Sequence, residues 1–142
     1  MDYSFDPCTA ALDISQAFGR VWHKALLQKF KAYGITGTFL GLLRISLNGR
    51  SMKVVIDDQE SDTHSLNAGV PQGSVLGPTL FLIFINNLPD YILRSLIDIF
   101  ADDTTLYDSI NSRRDHSQLA TDLNSNIVKI SDWGDKWLVV FN

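Results

Sequence analysis

The amino-acid sequence predicts an α+β fold: an antiparallel sheet with long helices packed against one of its faces. Three observations carry that expectation. Residues 96–107 hold two short apolar runs, Leu96, Ile97, Ile99 and Phe100, then Leu106 and Tyr107, on either side of Asp102-Asp103, the pattern of a β-hairpin with two acids at its tip. Two long segments, 16–33 and 115–137, repeat apolar side chains at spacings of three and four, which gives each a single apolar helical face. Between them, 51–56 and 61–66 read as strands joined by the turn Asp57-Asp58-Gln59-Glu60.

Length and composition bound what the chain can be. Its 142 residues, 45% of them hydrophobic, amount to about one domain with enough apolar material for a core. The apolar run at 80–85 is far too short to span a bilayer. The N-terminus is acidic and lacks the apolar stretch of a signal peptide, so an intracellular location, in cytoplasm or nucleus, is expected, with no membrane partner. A single cysteine, Cys8, excludes an internal disulfide framework and a cysteine-based metal site. The net charge of −4 speaks against a nucleic-acid partner, but the charges are unevenly placed. Residues 1–56 carry seven basic and three acidic side chains, a balance of +4; residues 57–142 carry five basic and thirteen acidic, a balance of −8. Such a split is compatible with a phosphate-facing part and a metal-binding part, and equally with two ordinary solvated faces.

Taken in order, residues 1–9 are expected to lie outside a domain spanning 10–142. Ala10-Ala11-Leu12-Asp13-Ile14 reads as a short buried strand closing on an acid. Asp is disfavoured in strands, so Asp13 either caps the helix that follows or serves a site. That helix, from residue 15 or 16 to 33, carries Phe18, Trp22, Leu26, Phe30 and Tyr33 on its apolar face, and Gly34 is placed to end it. A second helix begins after Thr36, with Phe39, Leu42, Leu43 and Leu47 inward and Asn48-Gly49 as its stop. Residues 67–78 contain three glycines and two prolines, marking a loop of defined shape. The helix after it, to about residue 87, is apolar nearly all round and should be buried on most sides, with Pro89 ending it. A polar break at 111–114 precedes the last long helix, on which Leu119, Leu123, Ile127, Ile130, Trp133 and Trp137 share a face; 138–141 read as a final strand, and a chain that stops there suggests a truncated domain.

Asp13, Asp102 and Asp103 are the chemical constellation. Neighbouring side chains in a regular strand point to opposite faces, so two consecutive Asp serve one site only where the backbone turns. Central strands ending at one edge would bring all three carboxylates together. Hard oxygen donors of this kind suit magnesium or manganese, and two such ions can assist in-line phosphoryl transfer. An isolated Asp-Asp, by contrast, is an ordinary turn pair.

Three stretches, in this order, change that balance: Leu12-Asp13-Ile14-Ser15-Gln16-Ala17-Phe18, then Ala68-Gly69-Val70-Pro71-Gln72-Gly73-Ser74-Val75-Leu76-Gly77-Pro78, then Phe100-Ala101-Asp102-Asp103. Together they resemble three motifs of reverse transcriptases, in particular the non-LTR, jockey-like (LINE-type) retrotransposon branch, whose flavour also shows in Arg20-Val21-Trp22-His23-Lys24-Ala25-Leu26-Leu27 and Trp133-Gly134-Asp135-Lys136-Trp137. The resemblance covers roughly 10–142. It implies a palm-like antiparallel sheet, truncated, with fingers and thumb largely missing. It implies RNA-directed DNA synthesis from deoxynucleoside triphosphates on an RNA template and a DNA primer, with two Mg2+ or Mn2+ ions. Asp13 and Asp102 would be the main metal ligands, the Ile14 carbonyl a backbone ligand, and Asp103 the second acid shaping the local field. Phe18 would be the steric gate against a 2′-hydroxyl. Gln72 and the Gly73 backbone would contact the incoming nucleotide and template–primer, glycine allowing close approach. The other partner implied is the rest of a retrotransposon polyprotein, with or without an endonuclease.

Each role has an ordinary alternative: core packing for Phe18, a plain loop for Gln72 and Gly73. Lys24 and Lys29 are expected on a solvated face, and His23, His64 and His116 show no ligand spacing. The chain departs from the family at Gly19, where an acid is usual, at Asn86-Asn87, where Asn-Asp is common, and at Phe100, where Tyr is commoner. A catalytically silent retroelement remnant is the competing reading. Another metal-dependent phosphotransferase or nuclease would leave the Val-Pro-Gln-Gly stretch without a reason.

Overall fold

Strand β1 starts at Pro7 rather than at Ala10, because pairing extends it: each residue from Pro7 to Asp13 has an antiparallel partner between Ser109 and Asp103. The structure, a computed structural model, describes residues 7–109 and 115–142; the polar break expected at 111–114 and most of the expected N-terminal segment lie outside them. In chain order the elements are β1 (Pro7–Asp13), a 3-10 turn (Ala17–Arg20), α1 (His23–Ala32), α2 (Gly37–Leu47), the two-residue strands β2 (Ser51–Met52), β3 (Val55–Ile56), β4 (Gln59–Glu60) and β5 (His64–Ser65), α3 (Gly77–Ile85), a second 3-10 turn (Pro89–Tyr91), β6 (Leu96–Phe100), β7 (Asp103–Ser109) and α4 (His116–Trp137). They fall into two units: the chain up to Ala17 with Ile85–Asn142, and Phe18–Phe84. The class is mixed helix and antiparallel sheet, as expected. No helix of the described residues is long and apolar enough to cross a membrane.

The first unit is built on a sheet of order β1-β7-β6, antiparallel throughout. Its strands alternate: Thr104 and Leu106 are buried and Ile97 and Ile99 half-buried, whereas Leu96, Asp98, Phe100 and Asp103 are exposed. α4 packs against β7 with Leu119, Leu123, Ile130 and Trp133 buried, as their spacing predicts. The carboxylate of Asp115 caps its first turn. It accepts from the Gln118 N–H and the Ser117 hydroxyl, which holds it below the usual carboxylate range. The last turn closes as a Schellman motif: Leu138 is left-handed (φ 60°) and the Val139 N–H donates to the Gly134 carbonyl at 2.8 Å. That reversal shrinks the expected final strand to one bridge, Phe141 with Ile14. Buried Asn126 uses its carboxamide as an extra backbone partner, accepting from the Leu93 N–H (3.1 Å) and donating to the Leu93 carbonyl (2.8 Å).

One core position is mismatched. The Thr104 side chain is fully buried and its hydroxyl has no hydrogen-bond partner. An unmade bond of this kind costs more than the hydroxyl contributes. Thr104→Val should therefore raise stability by about 1 kcal/mol, read as a higher urea midpoint with an unchanged slope.

In the second unit the expected helix over 16–33 is broken in two. The carbonyls of Phe18 and Val21, which a continuous helix would spend on residues four further on, accept instead from the Val70 N–H (2.8 Å) and the Gly69 N–H (2.9 Å) of the 67–78 loop. Trp22 bridges Ala68, and α1 restarts at His23. Lys29 is not solvated: it is buried, and its ammonium donates to the Phe84 carbonyl in the last turn of α3, a cation at a helix C-terminus. On α2 the inward face is Leu40, Leu43 and Leu47, whereas Phe39, Leu42 and Ile45 are exposed; the apolar residues surround the helix, so packing rather than pattern selects the face. The hairpin forms, closed by Asp57-Asp58, both at positive φ, but pairs in two short pieces, β3 with β4 and β2 with β5. α3 ends at Ile85, before Pro89, which instead opens the second 3-10 turn. Its burial is one-sided: Leu80, Phe81, Phe84 and Ile85 are buried and Leu82 is 47% exposed.

Candidate active site

The backbone places the three acids along one corner of the first unit's sheet. Asp13 is the last residue of β1 and lies opposite Asp103, the first residue of β7. Asp13 exchanges its backbone N–H and C=O with Asn142 on its other side (3.3 and 2.8 Å). Successive residues of a strand direct these groups to alternate sides, so Asp13 and Asp103 form a non-hydrogen-bonded pair, the kind whose side chains stand closest, with Cα atoms about 4.5 Å apart. Asp102 occupies the two-residue turn between β6 and β7 together with Ala101, at φ 53°. Its carbonyl accepts from the Ile14 N–H at 3.1 Å, tying the turn to the end of β1. The expected tip is thus resolved: Asp102 sits in the turn and Asp103 opens the strand.

Asp13 and Asp103 are exposed and Asp102 is half-buried. All donors are hard oxygens, which by chemistry fits magnesium or manganese. The convergence is one of backbone. Among the described residues no group of three or more His, Cys, Asp or Glu side chains is gathered as a metal cage, and like charges directly opposite on paired strands repel. Asn142 leans on this corner, its carboxamide donating to Asp13 Oδ2 at 3.4 Å. Ile14 is buried behind it.

Phe18, Gln72 and Gly73 belong to the second unit. Phe18 lies in the 3-10 turn, half-buried, its ring tilted 35° against Phe81 with centroids 5.2 Å apart, so the core-packing alternative is realised at least on that side. Gln72 and Gly73 are exposed in the loop, Gly73 at φ 82°. Ser74 braces the loop's exit: its hydroxyl donates to the Pro71 carbonyl (2.8 Å) and accepts from the Gly77 N–H (2.9 Å).

The loop's entrance rests on residues that spacing alone did not mark. The Gly69 carbonyl accepts from Arg50 Nη1 (3.0 Å) and is 2.7 Å from Nε2 of buried His23. Gly69 sits at φ 90°, a conformation strained for any other residue, and a Cβ there would lie 3.1 Å from the Gly19 carbonyl oxygen, a tight contact. Gly19, where an acid is usual, is thereby the floor of the Val-Pro-Gln-Gly loop. His23 carries no ligand spacing because it serves one backbone carbonyl. Asn87, another departure, accepts at 3.3 Å from Trp133 Nε1, which a carboxylate could do equally.

Residues 6–138 match the family described as Reverse transcriptase (RNA-dependent DNA polymerase). The chain is 36% identical over 135 residues to the probable RNA-directed DNA polymerase from transposon X-element of Drosophila melanogaster, covering 92% of this chain and 14% of that protein. It is 36% identical over 139 residues to the RNA-directed DNA polymerase from mobile element jockey of Drosophila funebris (92% and 15%), and 33% identical over 140 residues to that of Drosophila melanogaster (94% and 15%). The chain therefore spans only about a seventh of the length of these relatives.

Proposed function

The chain belongs to the reverse transcriptase family, on its non-LTR, jockey-like branch, and from that premise we propose that it is the palm portion of an RNA-directed DNA polymerase acting inside the cell within a longer polypeptide. The observation that supports this most is the register of β1 on β7, which sets Asp13 opposite Asp103 beside the turn that holds Asp102. Asp13 and Asp102 would hold two divalent cations, with the Ile14 carbonyl as a further donor and Asp103 adding to the field. When bound, the ions make the primer 3′-hydroxyl a better nucleophile and neutralise charge on the phosphoryl oxygens. Phe18 limits the space beneath the incoming sugar, and Gln72 and Gly73 orient the nucleotide and the template–primer. Ser74, His23 and Arg50 position that loop through Pro71 and Gly69.

The test is a polypeptide in which this chain replaces the matching segment of the jockey protein, assayed with an RNA template, a DNA primer and deoxynucleotides. Templated extension that requires a divalent cation is the expected result; a folded chimaera without templated extension overturns the proposal. In the active chimaera Phe18→Ala should raise ribonucleotide use by on the order of tenfold relative to deoxynucleotides, measured in competition. The chain by itself is expected to extend primers poorly or not at all.

A further inference from the structure

Asn142, Asp13, Asp103 and Phe100 stand in one row across the exposed face of the first unit's sheet. Register sets Phe100 opposite Asp103 and Asp103 opposite Asp13. Asp13 and Asn142 exchange both backbone bonds, so they too are directly opposed. Side chains of directly opposed residues share a face and interact. Asp13 therefore has a like charge on one side and a carboxamide on the other. Asp103 repels its carboxylate, whereas the Asn142 carboxamide donates to its Oδ2 at 3.4 Å. Among the described residues no Lys, Arg or His forms an ion pair with Asp13. The donor is itself well fastened. The Asn142 N–H donates to the Asp13 carbonyl at 2.8 Å, and the Ser15 N–H donates to the Val140 carbonyl at 2.9 Å. Between them Phe141 bridges Ile14 and lies against the buried ring of Trp133.

We propose that Asn142 is a positioning residue for Asp13: its carboxamide holds the carboxylate in one orientation against the repulsion of Asp103. The inference rests on reading the three acids as a metal-assisted site, and it adds a residue to that site. Strand pairing fixes the backbone and Cβ of Asp13 but not its χ1, and an exposed Asp side chain otherwise samples several staggered rotamers. A carboxamide suits the place by chemistry. It donates without carrying charge, so it orients the carboxylate and leaves its negative charge for a cation. A Lys or Arg there would neutralise that charge, and a carboxylate would put a third like charge in the row.

The first measurement needs neither metal nor nucleotide. In the 142-residue chain in EDTA, the Hα–Hβ couplings of Asp13 give its χ1 populations by NMR. Wild type should show one dominant rotamer. Asn142→Ala and Asn142→Asp should average the couplings while the Ser15 amide, bonded to Val140, keeps its protection from hydrogen exchange. Averaged couplings in wild type overturn the proposal, as do unchanged couplings in Asn142→Ala. The second measurement uses the active chimaera. Asn142→Ala should lower kcat about fivefold, the worth of one such hydrogen bond, and leave KM for deoxynucleotide nearly unchanged. Asn142→Asp, although isosteric, should lower kcat further. A residue that only closes the sheet edge would give the reverse order, with the isosteric change the milder and melting temperature following kcat; that pattern also overturns the proposal. A chimaera without templated extension would sink the polymerase reading, and the Asp13 couplings would still decide whether Asn142 orients the carboxylate.

Discussion

Asp13→Asn or Asp102→Asn will reduce RNA-templated nucleotide addition by on the order of a thousandfold, equivalent to about 4 kcal/mol of barrier, in a polypeptide that carries this chain and is otherwise active. The loss should fall on the rate of the chemical step, since each carboxylate is assigned to the ions that act on the reacting oxygens and not to holding the template. Asp103→Asn should cost less, because its assigned contribution is to the field of the pair. The same substitutions should hardly move stability. Asp13 and Asp103 are exposed and face one another, so neutralising either removes a cross-strand repulsion. Single-turnover rates alongside urea melts separate the two effects. Full activity in Asp102→Asn would end the two-metal assignment, and a collapse in stability would show that the acids hold the fold rather than the chemistry.

Trp133→Ala should be the most damaging substitution in the first unit, costing about 3–5 kcal/mol, a large share of the stability of a domain this size. Trp133 is fully buried, and its ring lies against Trp137 (6.1 Å) and Phe141 (6.2 Å). Phe141 bridges Ile14, and Asn142 pairs with Asp13, so the indole packs against the C-terminal segment that is bonded to the end of β1. Gly134 works in the same place. A Cβ on it would come within 2.6 Å of the Val139 carbonyl oxygen, so Gly134→Ala must push the returning C-terminal segment off the helix. Thermal or urea unfolding of both variants, followed by near-ultraviolet circular dichroism of the tryptophans, checks this. Asn87→Ala, which removes an acceptor of the indole N–H, should cost about 1 kcal/mol. If Trp133→Ala costs no more than Asn87→Ala, the packing account is wrong. The Trp-Gly-Asp-Lys-Trp stretch thus has a physical reason: a core anchor, a close backbone approach and a helix end.

The sequence by itself determined the elements whose signals are local. The apolar period of α4, the acids at the β6–β7 turn, the Asp57-Asp58 reversal and the glycine- and proline-rich loop were all readable, because periodicity and turn chemistry are written within a few residues. Asp13 is conspicuous because Asp is disfavoured at the end of an apolar strand, whereas Asp102-Asp103 alone is an ordinary turn pair; the likeness of three ordered stretches to reverse transcriptase motifs is what joins the three acids into a candidate site. Tertiary structure alone decided the rest. The register of Asp13 on Asp103, the break before His23, the burial of Lys29 on the end of α3 and the inward face of α2 each depend on a partner far away in the chain. A backbone carbonyl or a buried ammonium bonds whatever the fold brings within reach, and nothing in the neighbouring residues announces what that will be.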